Sequence, residues 1–102
     1  MKRSEIIESI RKAFVAFPYS LEIWLYGSEA RGDARPDSDI DLLMLVDKPV
    51  VSDDDENKIF TPLYKIELET GVIINPLILP KEQWGKRVTP FYINVNNERV
   101  RI

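Results

Sequence analysis

The sequence predicts an α/β (α+β) fold in which a small sheet is flanked by helices. Three observations carry that prediction. Short apolar runs of strand length alternate with segments whose apolar residues recur at helical spacing. Glycine or proline stands at most of the junctions between them. The length of 102 residues, 44% hydrophobic and with seven prolines, suits a single domain covering residues 1–102 and argues against both a two-domain chain and a disordered one.

The elements follow in order. Ile6, Ile7, Ile10, Phe14 and Phe17 fall on roughly one face at helical spacing, with Ser4 as the N-cap and Pro18 as the stop. "LEIWLYG" (21–27) is an apolar and aromatic run halted by Gly27, a strand signal. "DIDLLMLV" (39–46) is a second strand, and its unbroken stretch from Leu42 to Val46 calls for cover on both faces. After Pro49, the acids Asp53, Asp54, Asp55 and Glu56 suit the first turn of a helix, where they oppose the positive end of its dipole. Ile59, Leu63, Ile66 and Leu68 continue that helix, Pro62 is expected to kink or interrupt it, and Gly71 ends it. "VIINPLIL" (72–79) is a third strand whose proline places it near an edge or at a bulge. "PKEQW" opens a helical turn at Pro80, and "TPFYINVNNERV" (89–100) forms a final helix begun by Thr89 and Pro90.

Composition excludes several chemistries. Without cysteine there is no disulfide, thiolate metal site or cysteine nucleophile, and without histidine the commonest general base and transition-metal ligand are missing. A metal must then be a hard ion held by oxygen, such as magnesium or manganese. No apolar run approaches the roughly 20 residues of a membrane span, so a cytoplasmic protein is expected. A formal charge of −3 argues against strong, sequence-independent binding of nucleic acid.

The chemistry concentrates in "YGSEARGDARPDSDIDLLMLV" (26–46). Alternation along a strand puts Asp39 and Asp41 on one face, with Ile40 and Leu42 on the other. Two carboxylates so placed can converge on a divalent cation, whereas alone they repel. Asp39, beside Ser38, has an alternative use as a turn acid. Asp41 is harder to explain that way, because an acid between Ile40 and Leu42 in a buried strand is costly without a partner. Gly27 permits a positive φ and a close backbone approach, and Ser28 opens a short helix "SEAR" whose free N–H groups and hydroxyl suit phosphate. Arg31 adds a cation one turn on.

At these residues the sequence resembles the DNA polymerase beta nucleotidyltransferase superfamily, and within it the minimal nucleotidyltransferases. The shared pattern is an apolar residue, Gly and Ser, a spacer of about ten residues, then Asp, apolar, Asp, apolar: here Tyr26, Gly27, Ser28, the spacer Glu29 to Ser38, and Asp39, Ile40, Asp41, Leu42. The resemblance implies a mixed sheet flanked by helices, with a nucleoside triphosphate, ATP first among them, at Gly27, Ser28 and Arg31. It also implies Mg2+, with Mn2+ as a substitute, on Asp39 and Asp41. The implied reaction is attack of an acceptor hydroxyl on the α-phosphate with loss of pyrophosphate. Small members of the family are often partnered by a helical HEPN toxin, and some transfer AMP to a tyrosine of it.

One departure stands out. Active members usually carry a third carboxylate on a following strand, and "VIINPLIL" has none; Asn75 is the nearest polar residue. Two readings therefore stay open, a nucleotidyltransferase and an antitoxin or binding module that acts by direct contact. An acceptor-recognition domain does not fit in this length, so a polymer or protein acceptor is expected to be recognised through another chain. The oligomeric state is left open.

Overall fold

The structure is a computed structural model that describes residues 2–86 and 89–102. Its elements are α1 (Arg3–Ala13), β1 (Leu21–Tyr26), α2 (Ser28–Arg31), β2 (Ile40–Val46), α3 (Asp53–Thr70), β3 (Ile74–Pro80), a 3-10 turn (Lys81–Gln83), α4 (Pro90–Glu98) and β4 (Val100–Arg101). The four strands form one sheet in the order β3-β2-β1-β4. β1 runs antiparallel to β2 and β4, while β2 and β3 are parallel and joined through α3, so the sheet is mixed as expected.

Period-two alternation along β2 divides the core. Ile40, Leu42, Met44 and Val46 face α1 and α3 and pack with Ile6, Ile10, Phe14, Ile59, Leu63 and Ile66. Leu43 and Leu45 face the other way, against Val95 of α4 and the partly buried Trp24, Leu77 and Trp84. Every residue from Leu42 to Val46 is buried, the two-sided cover that an unbroken apolar run requires.

Several local expectations need correction. The N-cap of α1 is Lys2, and Ser4 lies inside the helix. The Glu5 carboxylate accepts from the Lys2 N–H at 3.4 Å, which lets the helix start earlier. Helix α1 also ends at Ala13, short of Pro18, and successive turns carry Phe17 back onto the core against Phe14. Pro62 does not interrupt α3, which runs unbroken from Asp53 to Thr70. Buried Ile59 and Leu63 hold the turns on either side of the proline. Leu68 is 69% exposed, because it lies roughly 200° around the helix from Ile66. Gly71, at φ 73°, ends α3 as expected. β3 occupies an edge, where Pro76 needs no ladder donor on its open side. β4 is new: two residues are too few to leave a period in the sequence.

The acidic first turn of α3 is mostly solvated, but Asp55 is buried. Its carboxylate accepts from Lys48 Nζ at 2.7 Å and from the Ser52 N–H at 3.0 Å, while its own N–H donates to Ser52 Oγ at 3.1 Å. The Lys48 ammonium, and secondarily the Ser52 N–H, hold the Asp55 carboxyl down at about 2, against an ordinary 3.8. A carboxyl lowered on folding stabilises the fold fully above its unfolded value, and that contribution fades as pH falls through the folded one. Stability is therefore expected to drop between about pH 4 and about pH 2. Thermal unfolding followed across that window is expected to show this drop in the wild type, and Asp55→Asn to flatten it while lowering Tm at neutral pH.

Candidate active site

The register of the sheet assembles the site at one end of β2. Tyr26 pairs with Asp41, and Asp41 pairs with Asn75, so three side chains from three strands form a row across the α4 face. Asp39 lies just before β2, one strand period from Asp41, where the Ile40 N–H donates to the Ile73 carbonyl at 2.9 Å and fixes the mouth of the strand. Asn75 Nδ2 donates to both acids, at 3.1 Å to Asp39 Oδ2 and at 3.3 Å to Asp41 Oδ1. The two carboxylates thus face a common point, as their spacing predicted. The turn role open to Asp39 falls to Ser38 instead, whose hydroxyl accepts from the Arg35 N–H at 2.8 Å.

Gly27 sits at φ 71°, in the left-handed region, between β1 and α2. A Cβ built there would lie 2.6 Å from Asp41 Oδ2. The glycine is required by the turn, and any side chain there would in addition have to displace the Asp41 carboxylate, a constraint that sequence spacing does not reveal. Arg3 steadies α2 from outside: its Nε donates to Glu29 Oε1 at 2.8 Å, and its Nη1 donates to the Pro36 carbonyl at 3.2 Å.

Across the turn stands a residue that sequence reasoning missed. Glu98, the last residue of α4, accepts from the Gly27 N–H at 3.0 Å and from Arg31 Nη1 at 3.2 Å. Arg31, which is half exposed, also pairs with Asp33 at 3.5 Å, and the hydrogen bond it donates to Glu98 leads the effects that raise its pKa. Nothing local marks Glu98, because 71 positions separate it from Gly27.

Together these groups line a cleft of about 620 Å³, with Tyr26, Gly27, Ser28, Arg31 and Asp41 on one side and Phe91, Asn94 and Glu98 of α4 on the other. Burial first, then the charge of Asp41, pushes the Tyr26 phenol above its ordinary pKa, so it remains a neutral donor. The Tyr26 and Phe91 rings meet edge to face at 6.1 Å. Trp84 stacks at a tilt on Tyr92, 4.9 Å away, and its indole N–H donates to Asn96 at 2.8 Å, so this aromatic cluster mainly holds α4 on the sheet.

Among the described residues no group of three or more His, Cys, Asp or Glu is placed to hold a metal. The oxygen donors at the site are the carboxylates of Asp39 and Asp41, with the Asn75 amide N–H turned towards both. Such a set fits a hard divalent ion whose remaining positions are filled by water and phosphate, and does not form a closed protein cage.

The contact between Gly27 and Asp41 yields a test by double-mutant cycle. Gly27→Ala is expected to cost about 1–3 kcal/mol of folding free energy, from the strained φ and the clash together. In an Asp41→Ala background the clash is absent and the penalty is expected to shrink, leaving only the part due to φ. Urea denaturation of the four proteins measures both terms.

The sequence model for the nucleotidyltransferase domain matches residues 5–101. "Putative protein adenylyltransferase MJ0604" of Methanocaldococcus jannaschii is 36% identical over 78 residues, spanning 76% of this chain and 72% of that protein. Among solved structures, a chain of a mutant MntA-HpeT toxin-antitoxin superposes with a TM-score of 0.60 at 19% identity, covering 100% of this chain and 72% of that one. A chain of a toxin-antitoxin crystallised with AMP-PNP also gives 0.60, at 17% identity, over 99% of this chain and 72% of that one. At such identities the structural likeness speaks for the fold, a mixed sheet flanked by helices. With one family pattern running almost end to end and a relative that shares more than a third of the aligned residues, the chain belongs to the nucleotidyltransferase domain family.

Proposed function

We propose that this protein, acting as a single domain, transfers a nucleoside monophosphate from a nucleoside triphosphate, with ATP as the donor, to a hydroxyl of a separate acceptor. The observation that carries this reading is the convergence of Asp39 and Asp41 on one atom beside the Gly27 turn. Members of the family generally use a divalent metal, and here Asp39 and Asp41 are the residues to hold it, as Mg2+ or in substitution Mn2+. When bound there, the ion offsets phosphate charge and lowers the pKa of the acceptor hydroxyl. The chain's own groups do the rest. The backbone N–H groups at Gly27 and Ser28 receive the phosphates, Arg31 adds positive charge, and Tyr26 walls the cleft beside Asp41. The acceptor oxygen bonds to the α-phosphorus as the bond to pyrophosphate breaks.

The finer identity of the partners rests on relatives. The name of the Methanocaldococcus relative points to AMP transfer onto protein, and the AMP-PNP in a neighbour's crystals points to an ATP-like donor. Toxin-antitoxin complexes among the neighbours point to a toxin as the acceptor, and we place a tyrosine of a helical HEPN-type toxin in that role. With ATP as donor and a toxin as acceptor, we place the protein in the cytoplasm.

A second reading has its own observation. Asn75 stands directly across from Asp41, where the family pattern leads one to look for a further carboxylate, and an amide there has little basicity. On that reading the protein neutralises its toxin by contact.

Calorimetric titration of ATP with and without magnesium, beside a folded Asp39→Ala/Asp41→Ala variant, tests the site. Magnesium-dependent binding that disappears in the variant is expected; no wild-type binding at millimolar ATP would refute the donor site. Transfer of label from α-labelled ATP to a co-purified toxin then separates the two readings. If the missing base limits the rate, Asn75→Asp is expected to raise it by about 10²-fold or more.

A further inference from the structure

The placement of Glu98 is electrostatically costly by itself. It is the one charged residue of α4 and lies at the C-terminal end, where the helix dipole disfavours an acid. That cost is offset at the turn, where one carboxylate oxygen takes the Gly27 N–H at 3.0 Å and the other takes Arg31 Nη1 at 3.2 Å. An N–H at a glycine turn and a guanidinium are also the pair of donors that a phosphate would use. Both a carboxylate and a phosphate cannot hold them at once, since two anions would share one small space without a cation between them.

From this geometry we infer that Glu98 is a built-in competitor for the phosphate groups of the nucleotide, so that α4 and β4 act as a strap released when a triphosphate binds. The inference rests on the nucleotide reading proposed above and deepens it by naming a control on the same site. The strap has a path for its signal. Two residues beyond Glu98, β4 begins and pairs with β1, Val100 opposite Leu25 and Arg101 opposite Trp24, just before the Gly27 turn. Arg99 bridges the two segments with its guanidinium 4.0 Å above the Trp24 ring. Withdrawal of Glu98 therefore pulls on the edge of the sheet and on the aromatic contacts of α4. Occupancy of the cleft becomes readable on the α4 surface, where Phe91 and Ile93 are nearly half exposed. Asp33 remains as a second partner for Arg31, so release of Glu98 does not leave the guanidinium without a counter-charge.

The experiment is titration of magnesium-ATP, and separately of inorganic tripolyphosphate, into the wild type, Glu98→Gln and Glu98→Asp, with amide hydrogen exchange on the same samples. Glutamine keeps an acceptor for the Gly27 N–H but carries no charge, and aspartate keeps the charge on a shorter arm. Glu98→Gln is expected to tighten both ligands by about fivefold or more. ATP is also expected to speed exchange at residues 98–101 in the wild type. Unchanged or weaker affinity in Glu98→Gln, beside a wild type that does bind, overturns the inference and leaves the nucleotide site standing. Absence of binding in all three proteins at millimolar ligand removes the nucleotide site and the inference with it. Should Glu98→Gln fail to fold, Glu98→Asp supplies the comparison, because its carboxylate cannot reach both donors and the same tightening is expected.

Discussion

Burial of β2 on both faces is the constraint from which the site follows. A strand with apolar side chains on either side has to be covered twice, by α1 and α3 on one face and by α4 with its aromatic neighbours on the other. Such a strand cannot slip, since a shift of one residue would bring Asp41 to the α1 and α3 side and Leu42 to the cleft. Fixed register is what sets Tyr26, Asp41 and Asn75 in a row. The acids then emerge where the cover ends: Ile40 is still fully buried, while Asp41 is half-buried and Asp39 is exposed.

Charge at the mouth of the strand is arranged in two opposed sets. Asp39 and Asp41 lie on either side of the Asn75 amide, which is a donor but carries no charge. Arg31 faces them across the turn with its own acids, Glu98 and Asp33. The site therefore holds four carboxylates to one guanidinium, and magnesium with a triphosphate would alter that balance more than either alone. The glycine turn lies between the two sets and touches both, through its N–H to Glu98 and through its missing Cβ to Asp41.

Much of this was legible in the sequence. The three principal strands, the two long helices, the Thr89 cap and the edge position of the proline-bearing strand all leave local signals of period, punctuation or capping. So did Gly27, Ser28, Arg31, Asp39 and Asp41, because a turn and a short spacer keep them within one supersecondary unit. The misses were also local in origin. Ser4 looks like a cap, but Glu5 can reach the Lys2 N–H and the helix gains two residues. Pro62 looks like a break, but burial of the turns beside it outweighs the lost hydrogen bond.

By itself the sequence determined which segments become strands and helices and which residues are candidates for the chemistry, because both depend on neighbours a few positions apart. Only the tertiary structure decided what meets at the cleft. Parallel pairing through α3 brought Asn75 to the two acids, and the return of α4 and β4 to β1 brought Glu98 to Gly27 across 71 positions. It also set Asp41 Oδ2 in the space that a side chain at Gly27 would need, on top of the positive φ that already favours glycine there. Those contacts join segments far apart in the chain, and no local period or spacing encodes a distance that folding alone creates.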